Sequence, residues 1–149
     1  MMIKAILRHI PQLIFLIFFL GAASSVLADK DYEVVIHPQV TDKNLSLNTL
    51  RAIFGMRMQT WSDGTRIRVF VLADDAPLHH QFSKGTLNVF PYQLRSAWDR
   101  LVFSGIGQAP IKVDSIEDML VKVASTPGSI GYLWRANVDG RVDVLQVKK

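Results

Sequence analysis

Residues 115–134 read Ser115-Ile116-Glu117-Asp118-Met119-Leu120-Val121-Lys122-Val123-Ala124-Ser125-Thr126-Pro127-Gly128-Ser129-Ile130-Gly131-Tyr132-Leu133-Trp134. The stretch holds a helix, its stop signal and a strand in succession. Ser115 followed three residues later by Asp118 is a capping-box pattern, in which hydroxyl and carboxylate satisfy free amides reciprocally. Ile116, Met119, Leu120 and Val123 recur at helical spacing and form the stripe that faces a core. Thr126-Pro127-Gly128 stops the helix, and Ile130 to Trp134 reads as a strand. Gly128 permits a tight turn there, and Gly131 lets the strand pack closely on the helix.

Working towards the N-terminus, the same alternation repeats. Pro91 to Phe103 predicts a helix with Leu94, Trp98, Leu101 and Val102 on one face, ended by Gly105 and Gly107. Asp75 as cap and Pro77 in the first turn predict a helix that buries Leu78 and Phe82. Ile67 to Leu72 reads as a strand. Asn44 or Ser46 can cap a helix whose apolar positions are Leu47, Leu50, Ile53 and Phe54, closed by Gly55. Glu33 to His37 is a β-branched run ended by Pro38. Beyond Trp134, Val142 to Val147 predicts a last strand, joined to the preceding one through Asn137-Val138-Asp139-Gly140. Strands interleaved with helices give an α/β domain, with helices packed over a central sheet of about four or more strands.

The first residues differ in character. Lys4 and Arg8 precede an apolar run of 11 residues, Ile10 to Leu20, and a small-residue segment ending at Ala28. That order predicts a secretory signal peptide cleaved near Ala28. The run is short for a membrane span, which needs roughly 20 residues. Residues 29–149 are then expected to form one periplasmic domain, with no membrane association after cleavage. Without Lys4 and Arg8, 15 basic residues face 13 acidic ones. That mild, dispersed charge and export argue against a nucleic-acid partner. The chain has no cysteine, which excludes disulfides, thiol catalysis and iron–sulfur clusters.

Few residues suggest chemistry. No serine sits in a Gly-x-Ser-x-Gly elbow and no Gly-rich phosphate loop appears, so neither a catalytic residue nor a cofactor is expected and the chain is read as a non-enzyme. Asp74, Asp75, His79 and His80 are the one dense ionisable cluster. Asp75 and His79, four apart on a helix, could share a face and coordinate a divalent ion. The segment reads more simply as a helix cap followed by two solvated histidines, so no metal site is expected. His37 falls at the end of the first strand, an edge where α/β sheets bind ligands. It is expected either to line a crevice with Asp74 and Ser129 or to bond to nearby backbone.

Three motifs carry a resemblance. Leu50-Arg51-Ala52-Ile53-Phe54-Gly55 followed by Trp61-Ser62-Asp63-Gly64 resembles the L-x-x-I-F-x-G … W-x-D-G stretch of the phosphate-binding branch of periplasmic solute-binding proteins. Trp98 to Gly105 is similar to its W-x-x-x-x-F-x-G helix end. Thr126 to Tyr132 is similar to its x-P-G-A-I-G-Y turn into a strand. Order and spacing agree from about Tyr32 to Leu145. The resemblance is to short, single-domain members of the phosphate ABC transporter substrate-binding family, and it implies one periplasmic-binding-protein-like lobe. Taken as residues alone, Phe54, Trp61, Trp98 and Tyr132 are core or edge aromatics.

The resemblance implies an exported solute-binding module for phosphate or another small oxyanion, acting beside a transporter or sensor. It also implies an anion held by helix N-terminal amides, an arginine and a Ser-Gly-Thr turn after a strand. The corresponding place here reads Ala73-Asp74-Asp75-Ala76-Pro77, with no Ser-Gly-Thr and no arginine beside it. Two carboxylates there repel a phosphate by about 1 kcal/mol each, and Pro77 removes a donor. The alternative is a ligand-free periplasmic interaction domain on the same fold, of which a homodimer rebuilding a two-lobed cleft is one form. Candidate ligand-binding residues are His37, Asp74, Asp75 and Ser129.

Overall fold

The computed structural model describes residues 29–148; the expected signal peptide lies outside them. The α/β alternation is present: a five-stranded sheet is flanked by helices on both faces. In chain order the elements are β1 (Tyr32–Ile36), β2 (Asn44–Ser46), α1 (Leu47–Phe54), β3 (Arg68–Val71), α2 (Pro77–Phe82), α3 (Pro91–Phe103), β4 (Ile111–Lys112), α4 (Ile116–Ser125), β5 (Ser129–Trp134), β6 (Asp143–Val144) and β7 (Gln146–Lys148). Among the described residues no helix is long and apolar enough to cross a membrane.

The strand order is β4-β3-β5-β1-β6. β5 runs parallel to β3 and antiparallel to β1, with Tyr32 opposite Trp134 and Ile36 opposite Ile130. The expected hairpin between β5 and the last strand does not form. β1 inserts between β5 and β6, and the Val142–Val147 run divides. Asp143 and Val144 join the main sheet, whereas Gln146 to Lys148 pair in parallel with β2. A backbone bond from Gln146 to Lys43 guides the chain into that second sheet.

β5 is buried along almost its whole length, and its two faces set the layers. On one face a Cβ at Gly131 would meet Met119 Sδ at 2.5 Å and Val123 Cγ2 at 3.1 Å, so α4 rests directly on the strand. On the other face Tyr132 stacks on Phe82 at 4.2 Å, and Phe82 meets Phe54 at 4.7 Å. The Trp98 indole donates to the Phe54 carbonyl at 2.8 Å, fixing α3 to the end of α1. Phe54, Trp61, Trp98 and Tyr132 are all core residues.

The element ends resolve one expected alternative and depart from others. Ser46, not Asn44, caps α1, accepting from the Thr49 amide at 3.1 Å. Gly55 closes that helix with ordinary φ, and Met56 takes the left-handed conformation at φ 59°. Ala76, not Asp75, is the N-cap of α2 and gives it no side-chain cap. α2 continues into a π-helical turn over Ser83–Leu87, ended by Asn88 at φ 57°. On α3, Val102 faces solvent rather than the core. At α4 the Ser115 hydroxyl caps the Asp118 amide, but Asp118 reaches one residue further back, to the Asp114 amide.

Candidate functional site

Because β3, β4 and β5 are parallel, their carboxyl ends share one edge of the sheet, where open α/β sheets take ligands. β3 delivers Leu72 to that edge, and the chain turns through Ala73-Asp74-Asp75-Ala76 into α2. Tyr132 tethers this turn from below. Its hydroxyl accepts the Leu72 amide at 2.9 Å and contacts His79 Nδ1 at 2.5 Å. The phenol can either donate to Nδ1 or accept from it, according to the imidazole tautomer. Nε2 and the Ser83 hydroxyl are buried without a partner among the described residues.

Burial pushes the His79 imidazole below its ordinary value, and burial pushes the Tyr132 phenol well above the phenol range. The expectation of two solvated histidines therefore holds for His80 alone; His79 is fully buried. It is turned into the aromatic core and not towards exposed Asp75, so the two do not form a cation site. Among the described residues no group of His, Asp and Glu gathers as a metal site.

Asp74 is held from the side. Arg95, on α3, donates Nε at 3.1 Å and a terminal nitrogen at 2.9 Å to its two carboxylate oxygens. The hydrogen bond from Arg95 draws the Asp74 carboxyl below the usual carboxylate range. An arginine thus reaches this loop after all, from 21 positions along the chain, and arrives already neutralised. Asp75 projects to solvent. α2 begins with Pro77, which has no amide proton, and its N-cap Ala76 offers no side-chain bond. The neighbouring start of α4 is filled by its own Ser115 and Asp118 caps, with Glu117 and Asp118 in its first turn.

His37 and Ser129 lie elsewhere. β1 is antiparallel to β5, so the end of β1 meets the beginning of β5: the His37 amide donates to the Ser129 carbonyl at 3.0 Å. The His37 ring accepts the Gln39 amide at 3.2 Å, the bond to nearby backbone foreseen as one alternative. Ser129 is buried, its hydroxyl donating to the Val123 carbonyl at 2.9 Å. Ser129 pairs with Arg68 at the start of β3, six residues before Asp74, which at strand rise is ~20 Å away. The expected crevice joining His37, Asp74 and Ser129 is therefore not assembled. Ser129 starts a strand parallel to β3 whereas Asp74 follows the end of β3, and His37 joins Ser129 because β1 runs against β5.

This α/β fold recurs in solved structures. The chain has the periplasmic-binding-protein-like fold. It is similar to an ABC-type phosphate transport receptor from Vibrio cholerae, at 16% identity and TM-score 0.62 over 80% of this chain and 46% of that one. A phosphate ABC transporter substrate-binding protein from Clostridium perfringens, solved with bound phosphate, aligns at 16% identity and TM-score 0.64 over 78% of this chain and 44% of that one. PstS from Borrelia burgdorferi aligns at 16% identity and TM-score 0.57, over 80% of this chain and 47% of that one. This periplasmic-binding-protein-like chain spans less than half the length of these structures. No protein-family model matches it, and no curated protein matches it.

Proposed function

We propose that the protein is a periplasmic binding module of the solute-receptor type, working beside a transporter or sensor through a protein partner and not by holding free phosphate at the β3–α2 edge. The observation that carries this reading is the Asp74–Arg95 pair. A dianion approaching the loop meets a guanidinium whose two donors already serve a carboxylate, an exposed Asp75 and a proline without an amide proton.

A second reading, an oxyanion-binding module, is favoured by the fold likeness to a protein solved with bound phosphate and by the position of Arg95 at the loop. Titration calorimetry of the purified protein with phosphate separates the two. The first reading expects no heat at millimolar phosphate and no rise in melting temperature, since any ligand of the folded state stabilises it by RT ln(1 + [L]/Kd). Micromolar binding by the wild type would establish the second reading instead.

A further inference from the structure

On the face of α3 turned away from Arg95 lies a groove of about 690 Å³, walled by the end of α1, the π-helical turn and α3. Leu87, Leu94, Ala97 and Leu101 form its apolar floor, and Arg51, Arg57 and Arg100 stand around it. No carboxylate lines it, and none of the three guanidiniums forms an ion pair among the described residues. Arg51 is fixed in place by donating Nε to the Leu87 carbonyl at 2.9 Å, and Arg100 by donating Nε to the Ser96 carbonyl at 3.2 Å. Two of the three charges are thus held on the groove by their own hydrogen bonds.

The apolar surface does not stop at the rim. Ile106 is 76% exposed, and Phe103, beyond the groove on α3, is 88% exposed. A small-molecule pocket encloses most of its ligand; a groove whose rim is this open does not. A groove between helices with an apolar floor fits instead the apolar stripe of a docked amphipathic helix. Three like charges with no internal counter-charge select the sign of the residues that flank that stripe.

We infer that this groove docks an acidic amphipathic helix of a partner protein, apolar side chains inward and carboxylates against Arg51, Arg57 and Arg100. The inference rests on the partner-binding reading above and names the partner's chemistry.

The test uses the full processed protein and two labelled 18-residue helical peptides. Both carry leucine at positions i, i+3, i+4 and i+7 of successive turns, with glutamate flanks in one and lysine flanks in the other. By fluorescence anisotropy the glutamate peptide should bind at least tenfold tighter than the lysine peptide, and more weakly as salt rises from 50 to 300 mM. Joint substitution Arg57→Glu and Arg100→Glu should cost at least tenfold, whereas Arg100→Lys should cost less than threefold. Ala97→Trp, which fills the floor, should abolish binding while circular dichroism stays unchanged. Equal binding of both peptides, or no binding of the glutamate peptide at 1 mM, would overturn the inference. So would displacement of the peptide by dodecanoate, or a dimer in light scattering that the double substitution dissolves. Phosphate calorimetry on the same sample reports on the partner-binding reading separately.

Discussion

Gly128 sits at φ 76°, and a Cβ there would lie 2.3 Å from the Arg66 carbonyl oxygen. Its own carbonyl accepts from the Trp61 indole at 2.9 Å and the Arg68 amide at 3.1 Å, so the backbone cannot move aside cheaply. Gly128→Ala should therefore cost about 3 kcal/mol or more, combining left-handed strain with a backbone clash, read as a lower urea midpoint at constant slope. Tyr132→Phe leaves both the Leu72 amide and His79 Nδ1 buried without their partner, and should cost about 2–4 kcal/mol from two unsatisfied groups. His79 gives the fold a pH dependence of definite sign. Burial lowers its folded-state value from the ordinary 6.5, so below that pH the unfolded chain takes up a proton that the folded chain resists. This contribution to stability is complete above pH 6.5 and is lost as pH falls, at up to about 1.4 kcal/mol per pH unit. Urea midpoints measured from pH 7.5 down to pH 5 should fall, and His79→Gln should flatten that slope.

At the scale of elements, the helices start by three different devices. Ser46 and Ser115 cap α1 and α4 through hydroxyl bonds to Thr49 and Asp118, and either serine changed to alanine should lower stability by about 1 kcal/mol, measured by chemical denaturation. α2 has no capping side chain; Pro77 sets its first φ, and the Tyr132 hydroxyl secures the residue before its loop. α3 opens differently again, with the Phe90 amide donating to the Gln93 side chain at 2.7 Å. Its two faces have different duties. Leu94 and Trp98 are buried, Arg95 reaches the β3–α2 loop, and Ala97 and Arg100 look into the groove. Val102, four residues beyond Trp98 on the same stripe, is nevertheless exposed.

For the whole molecule, the decisive electrostatic fact is the bond between Asp74 and Arg95. Both side chains are about 40% exposed, so Asp74→Asn should change stability by less than about 1 kcal/mol. It should nevertheless free Arg95, and any phosphate heat absent from the wild type should be greatest in this variant when the two are titrated side by side. The helix–stop–strand unit at 115–134, the apolar stripes of α1 and α4, and the glycine requirement at Gly128 were legible in the sequence, because each depends on residues within about a turn of one another. The α/β class followed from their alternation. The strand order, by contrast, was decided by β1 pairing with β5, Ile36 opposite Ile130 and Tyr32 opposite Trp134, a register no local pattern encodes. That single antiparallel strand sends His37 to the opposite end of the sheet from Asp74, where Ser129 stands as the first residue of β5. The arginine at the loop and the imidazole beneath it likewise come from packing: Arg95 and Tyr132 meet the loop across 21 and 60 positions. Local propensity therefore determined what the pieces are, and long-range burial on β5 decided which charges stand together.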